Sequence, residues 1–219
     1  MNKNLSSKDI YGLNVVVTKN ISEMCDGLNA KLFYFSTDLV YDGFRGSMLN
    51  ENAKLNPVSL YAETKLMGEL KIQDTFDNYV ILRSALLFGL GLNHSSNHFH
   101  QMFKDLKAMK QVKLFTDQYR TPLSLVEAAR IICDLVDNKN ANGIINFGGA
   151  ERVSRYELGE QLCEEANLDK NLLIKINLDD LPDLPKVKDV SMNTEKLKSC
   201  GIKQKTLRES IKEILEEKY

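Results

Sequence analysis

Thr37, Tyr61 and Lys65 can between them polarise and protonate a carbonyl oxygen. Tyr61 and Lys65 stand four apart, so on a helix both project from one face, one turn from each other. A free tyrosine titrates near pH ~10 and is a poor acid at neutrality. An ammonium one turn away stabilises the phenolate, so Lys65 is expected to lower the Tyr61 pKa toward the working range of a general acid. The Thr37 hydroxyl can hydrogen-bond the oxygen that Tyr61 would protonate. The chemistry this set suits is reduction of a ketone.

These side chains need a strand and a helix to position them. Leu32 to Phe35 is apolar and aromatic without a polar break, as expected of a strand buried on both faces of a parallel sheet. It runs into Ser36-Thr37-Asp38, which places two hydroxyls and a carboxylate at the carboxyl end of the strand, where open α/β sheets bind ligands. A polar loop leads to Ser59, a possible N-cap, and to the helix that carries Tyr61 and Lys65. Tyr-x-x-x-Lys recurs by chance in any chain with this many tyrosines and lysines, and an ordinary strand and amphipathic helix would also produce it. The Ser-Thr-Asp strand end and the continuation Lys65-Leu66-Met67-Gly68-Glu69 give the motif its weight.

Over Ser36-Thr37-Asp38-Leu39-Val40-Tyr41-Asp42-Gly43 and Tyr61-Ala62-Glu63-Thr64-Lys65-Leu66-Met67-Gly68-Glu69, and in the spacing between them, the chain resembles the extended short-chain dehydrogenase/reductase superfamily and, within it, the dTDP-4-dehydrorhamnose reductase family. The resemblance runs from about Leu13 to the end. It implies an α/β fold: a Rossmann-type parallel sheet in one domain over 1–219, with a small C-terminal α/β substrate-binding lobe drawn mainly from about 93–125 and 150–219. It implies a Thr37-Tyr61-Lys65 triad that reduces the 4-keto group of a dTDP-6-deoxysugar with NADPH or NADH. Tyr61 would give the proton, Lys65 would tune it and, with Tyr61, bind the nicotinamide ribose, and Thr37 would orient the carbonyl. Asp38, Asn97, His98, Gln118 and Arg120 are the implied substrate contacts. The regulatory beta subunit of methionine adenosyltransferase shares the resemblance and acts by binding a partner, and nucleotide-sugar epimerases and dehydratases share the triad.

The chain departs from that family at its start. Its members carry a glycine-rich strand, turn and helix whose backbone approaches the cofactor pyrophosphate. No segment from Met1 to Leu13 has that pattern, and neither Gly89-Leu90-Gly91 nor Gly148-Gly149 has G-x-G-x-x-G spacing. The expectation is an N-terminally incomplete sheet that binds nicotinamide cofactor weakly by itself. Its open apolar edge would favour self-association or a complementing polypeptide.

Elsewhere the reading is one of elements. Met1 to Gly12 is polar and promises little packing; Leu13, Val17, Ile21, Met24 and Leu28 then follow helical spacing, while Val15-Val16-Val17 alone would favour a strand, and the family resemblance implies the helix. Tyr79 to Ser84, Val112 to Phe115, Gly143 to Gly149 and Leu172 to Leu178 read as strands. Ser124/Glu127, Ser154/Glu157 and Thr206/Glu209 read as capping boxes that start helices. His94, His98 and His100 cluster, but with no cysteine or carboxylate among them the reading is a polar loop, with no metal site. In Thr116-Asp117-Gln118-Tyr119-Arg120-Thr121-Pro122-Leu123, which resembles a family loop, an arginine replaces a glycine. It is either a bidentate grip on phosphate or a surface residue. A formal net charge of −1 gives no reason to expect nucleic acid or an anionic membrane as partner. The four cysteines lack C-x-x-C spacing and read as reduced, buried thiols of a cytoplasmic protein.

Overall fold

The computed structural model describes residues 5–44, 46–91, 97–182 and 185–216. At its centre lies a parallel sheet of β1 (Leu32–Thr37), β2 (Tyr79–Ser84) and β7 (Gly143–Phe147), in the order β1-β2-β7. Phe35 pairs with Leu82 and Thr37 with Ser84, so the carboxyl ends of the strands are aligned. Val80, Ile81 and Leu82 of β2 are fully buried, as a central strand's uninterrupted apolar run requires. β1 differs from the expectation of burial on both faces: Phe35 is 41% exposed. The reason is position, because among the described residues β1 has a neighbour on one side only.

Between the sheet strands the chain forms short parallel pairs. β3 (Leu87–Phe88) pairs with β6 (Leu123–Ser124), and β4 (Val112–Phe115) with β9 (Leu173–Ile176). β5 (Tyr119–Arg120) runs antiparallel to β8 (Val153–Ser154), which brings the Gln118–Arg120 loop against the start of the following helix.

At the amino end, α1 (Ser7–Tyr11) passes through a π-helical stretch, Gly12–Val17, into α2 (Thr18–Gly27). The expected helix is there, and it starts earlier than its sequence suggests, with Ile10 buried in a segment expected to pack little. Its apolar stripe, however, faces outward. Leu13, Val17, Ile21, Met24 and Leu28 are all exposed, Leu28 by 75%. The buried face is Val15, Thr18 and Ser22, which lies against α3 (Leu60–Gln73). Small and polar residues permit a close approach there. Asn14 Nδ2 donates to Thr64 Oγ1 at 3.0 Å and Ser22 Oγ meets Thr75 Oγ1 at 3.3 Å. A Cβ on Gly68 would lie 2.6 Å from the Asn14 carbonyl oxygen and would also run into Tyr34 Oη. Periodicity reports which residues share a face; it does not report what covers that face.

The second half holds the remaining helices: α4 (His98–Lys107), α5 (Leu125–Asp137), α6 (Arg155–Ala166), α7 (Glu195–Ser199) and α8 (Leu207–Glu216). One core cluster joins α4, β4, α6, β9 and α8 through Phe99, Met102, Leu114, Leu162 and Ile211. Another joins the central sheet to α5 and α7 through Leu82, Ile131, Ile145 and Leu197. Ser154 and Glu157 form a reciprocal capping box on α6, and Thr206 and Glu209 exchange the same two bonds ahead of α8. Ser124 caps α5, but Glu127 does not reach back. Its carboxylate is taken by the Lys205 amide and the Ser210 hydroxyl. The cysteines are free, although only Cys163 is buried and Cys133 is exposed.

Candidate active site

The carboxyl end of β1 delivers Thr37 and Asp38 to a cavity of about 240 Å³, lined also by Ala85 and Leu87 from beyond β2 and by Arg120 and Arg155. Thr37 is buried in extended backbone. Its hydroxyl caps the 3-10 turn Asp38–Val40 by accepting from the Leu39 amide at 3.3 Å, and it faces Asp38 Oδ1 at the same distance. Leu39 and Arg120 also line a neighbouring cavity of about 190 Å³, walled by Val58, Ser59, Gln118 and Val187. Ser59 is the N-cap of α3, its side chain accepting from the Ala62 amide at 3.3 Å. The N-cap of the helix that carries Tyr61 therefore borders a cavity that adjoins, through Leu39 and Arg120, the one lined by Thr37.

Tyr61 and Lys65 both lie in α3, half-buried, as the spacing predicted. Their electrostatics differ from the expectation. The Tyr61 phenol is pushed up, first by burial and then by the charge of Asp38. Lys65 does not offset this, because its ammonium lies over the Tyr34 ring, 4.0 Å from the centroid, and among the described residues it forms no ion pair. Burial pulls Lys65 down to about 8, against the opposing charge of Glu69 one turn further along α3. The carbon bonded to its amine should accordingly titrate by NMR with a midpoint near 8, and a midpoint at the ordinary lysine value of ~10.4 would contradict this burial. Between those two pH values the unfolded chain still holds the proton that the folded chain has released. This group's contribution to stability therefore rises with pH across that window.

Arg120 is not a surface residue. It is 6% exposed, its Nε sits 3.3 Å from Asp38 Oδ2, and its Nη1 donates to the Tyr119 carbonyl at 2.8 Å. Gln118 turns its Oε1 toward Arg155, accepting from Nε at 3.1 Å. Asn97 has a different job from the one expected. Its Oδ1 accepts from the His100 amide at 2.9 Å, as the N-cap of α4, and its Nδ2 donates to the Gly89 carbonyl at 3.0 Å, so its amide is committed to the backbone. His98 titrates low because surrounding protein desolvates it and Arg155 repels its proton, which puts it in the electrostatic reach of the cavity. His94 lies outside the described residues. Among the described residues no group of His, Cys, Asp and Glu side chains could hold a metal ion, and no helix is long and apolar enough to cross a membrane.

Three further features had no place in the sequence reading. Tyr34 receives the lysine, Arg155 completes the cavity, and Glu69 pairs with Arg83 behind the triad. The last is fully buried: Arg83 Nη2 lies 2.8 Å from Glu69 Oε2, Nε is 3.2 Å from both carboxylate oxygens, and Nη1 donates to Tyr41 Oη at 3.0 Å. Ser36, beside Thr37, donates to Glu69 as well. Continuing the apolar helix with Glu69, and placing Arg83 in an otherwise apolar strand, were the available signals. A single buried charge requires a partner.

The donor set of Tyr61 and Lys65, a half-buried phenol and an ammonium that forms no ion pair among the described residues, fits the ribose hydroxyls of a nicotinamide cofactor. Among the described residues no strand, glycine turn and helix of pyrophosphate-binding spacing is present. Gly148 and Gly149 instead serve packing, backed against Thr121 and Pro122.

A family model described as the RmlD substrate binding domain matches residues 5–219. Among curated proteins, methionine adenosyltransferase 2 subunit beta of Xenopus laevis is 27% identical over 93% of this chain and 62% of its own length. The probable low-salt glycan biosynthesis reductase Agl14 of Haloferax volcanii is 28% identical over 74% of this chain and 54% of its own. The chain thus spans less than two thirds of the length of these relatives. Among solved structures, a dTDP-4-dehydrorhamnose reductase from Clostridium acetobutylicum superposes with a TM-score of 0.83 at 25% identity, over 94% of this chain and 72% of that one. The NADP complex of a Bacillus anthracis dTDP-4-dehydrorhamnose reductase shares the fold, with a TM-score of 0.84 at 20% identity over 94% of this chain and 72% of that one.

Proposed function

The chain belongs to the RmlD substrate binding domain family, and from that premise we propose that it carries the catalytic and sugar-binding part of an NAD(P)H-dependent reductase acting on a 4-keto nucleotide-sugar. The observation that carries the reading is the convergence of a buried threonine at a parallel strand's carboxyl end with a Tyr-x-x-x-Lys helix start on adjoining cavities. Thr37 orients the carbonyl by donating its hydroxyl proton to the oxygen. Tyr61 gives the proton to that oxygen as it becomes an alkoxide, and its raised pKa keeps the phenol protonated until then. Lys65, once drawn from the Tyr34 ring to the ribose, supplies the positive charge that makes the phenolate product tolerable. A nicotinamide cofactor, when bound, supplies the hydride. The loop Gln118–Arg120 and the lobe from about 93–125 and 150–219 hold the nucleotide-sugar.

The test is turnover of a dTDP-4-dehydro-6-deoxysugar with NADPH or NADH in the full polypeptide, followed by identification of the product. A reduced sugar supports the reading, and an epimerised or dehydrated one replaces it with that chemistry. Arg120→Ala should weaken nucleotide-sugar binding by about 1.5–3 kcal/mol, the range of a hydrogen bond to a charged group. Equal affinity of the two proteins in calorimetry would remove Arg120 from the ligand.

A second reading has its own support in the 27% identity to methionine adenosyltransferase 2 subunit beta. It takes the chain as a binding subunit without turnover. Co-purification with one protein at a fixed stoichiometry, together with no reduction of any 4-keto nucleotide-sugar, would favour it.

A further inference from the structure

We infer that Arg120 and Arg155 form an oxyanion subsite inside the Thr37 cavity, filled by a carboxylate or phosphate group of the bound ligand. The inference deepens the nucleotide-sugar reading and rests on it. Both guanidinium groups line this cavity, and among the described residues the one acid lining it with them is Asp38. Two positive charges face one negative charge.

The balance is poorer than that count suggests. Asp38 is buried, and burial pushes its carboxyl up. Its Oδ2 lies 3.3 Å from Arg120 Nε yet has no well-directed hydrogen bond. Arg155 spends Nε on the neutral Gln118 side chain, while its Nη1 is buried and has no hydrogen-bond partner among the described residues. Burial and the repulsion of Arg120 pull Arg155 down to about 10. Arg155 is also the first residue of α6, a 12-residue helix whose amino end adds positive potential. A buried, unpaired guanidinium donor beside a second guanidinium is unfavourable until an anion arrives.

The geometry of the group decides the class of anion. A planar guanidinium presents paired N–H donors that match two oxygens of one carboxylate or phosphate. If Arg155 served only to pack the Gln118 loop, its remaining donors would be expected to find protein acceptors, and among the described residues Nη1 finds none. Because Thr37 lines the same cavity, the anionic group lies on the part of the ligand near the reacting carbonyl, or on the diphosphate across the sugar ring from it.

The first experiment titrates the 219-residue chain with malonate and with inorganic phosphate while following the arginine side-chain N–H signals by NMR. Arg155→Lys and Arg120→Lys assign the two resonances. The expected result is saturable shifts of both, with the exposed Arg208 unmoved. No shift, or equal shifts of every arginine, overturns the subsite. The second experiment compares UDP-glucuronate, UDP-glucose and dTDP-glucose by calorimetry against wild type and Arg155→Gln, with thermal melts to establish that the variant is folded. If the ligand's carboxylate fills the subsite, UDP-glucuronate binds about 10-fold or more tightly than UDP-glucose, and Arg155→Gln cancels the difference. If its phosphate does, Arg155→Gln weakens all three by a similar factor and Arg155→Lys restores part of the loss. Unchanged affinities in Arg155→Gln overturn the inference. Should no sugar nucleotide bind while malonate or phosphate still shifts Arg155, the nucleotide-sugar reading fails and the subsite stands.

Discussion

Replacing Tyr61 with phenylalanine should cut carbonyl reduction by about 10²- to 10⁴-fold, the usual contribution of one general acid. The hydroxyl is the only group removed, and among the described residues it makes no hydrogen bond whose loss would strand a buried partner. The melting temperature should therefore stay near that of wild type, which separates a catalytic loss from a folding loss. The measurement is single-turnover reduction in the full polypeptide, with thermal unfolding by circular dichroism beside it. Undiminished turnover would take Tyr61 out of the mechanism. Absence of turnover in wild type and variant alike would instead favour the reading of this chain as a binding subunit, in which the phenol is a half-buried helix residue.

The second large effect is on stability. Arg83→Met should destabilise the fold by about 3–5 kcal/mol, because it leaves the Glu69 carboxylate in the core without its counter-charge. Arg83 is 1% exposed and Glu69 0%, so water cannot replace the missing partner. A loss of that size is a large share of the 5–15 kcal/mol that typically holds a domain together. The double variant Arg83→Met/Glu69→Leu should cost less than Arg83→Met alone, since the stranded charge goes with it. It would not return fully to wild type, because the Ser36 hydroxyl loses its acceptor, and the Tyr41 hydroxyl and the Glu51 carbonyl lose the Arg83 donor, although Tyr41 keeps its bond to Asn146. Urea midpoints at constant slope measure both. An Arg83→Met midpoint within 1 kcal/mol of wild type would show that Glu69 is neutral or solvated in the fold. The ion pair also has a functional position. It ties the strand end at Ser36, next to Thr37, to the helix turn that follows Lys65, so both variants should slow reduction more than their residual folded fraction explains.

The local patterns of this sequence were sufficient for its elements. An unbroken apolar run ending in Ser36-Thr37-Asp38 forms a strand whichever neighbours it has, and Ser59 caps a helix wherever that helix lies, because both follow from backbone hydrogen bonding and side-chain period. Tyr61 and Lys65 share a helix face for the same reason. The family, and with it the Rossmann-like sheet, was legible because the motif residues occupy fixed positions relative to those elements.

What the sequence could not decide depends on groups distant along the chain and close in space. The apolar stripe from Leu13 to Leu28 was visible, but its direction was set by the close approach of this segment to α3, where the Asn14 carbonyl lies against Gly68. The direction of the Tyr61 shift was set by Asp38 and by burial, with Lys65 held over Tyr34, a residue on another element. Arg120 became a buried, cavity-lining charge only where β5 meets β8 and brings Arg155 to the same cavity. Short-range order is written in neighbouring residues, whereas the charge and burial of a site are sums over everything the fold brings near it.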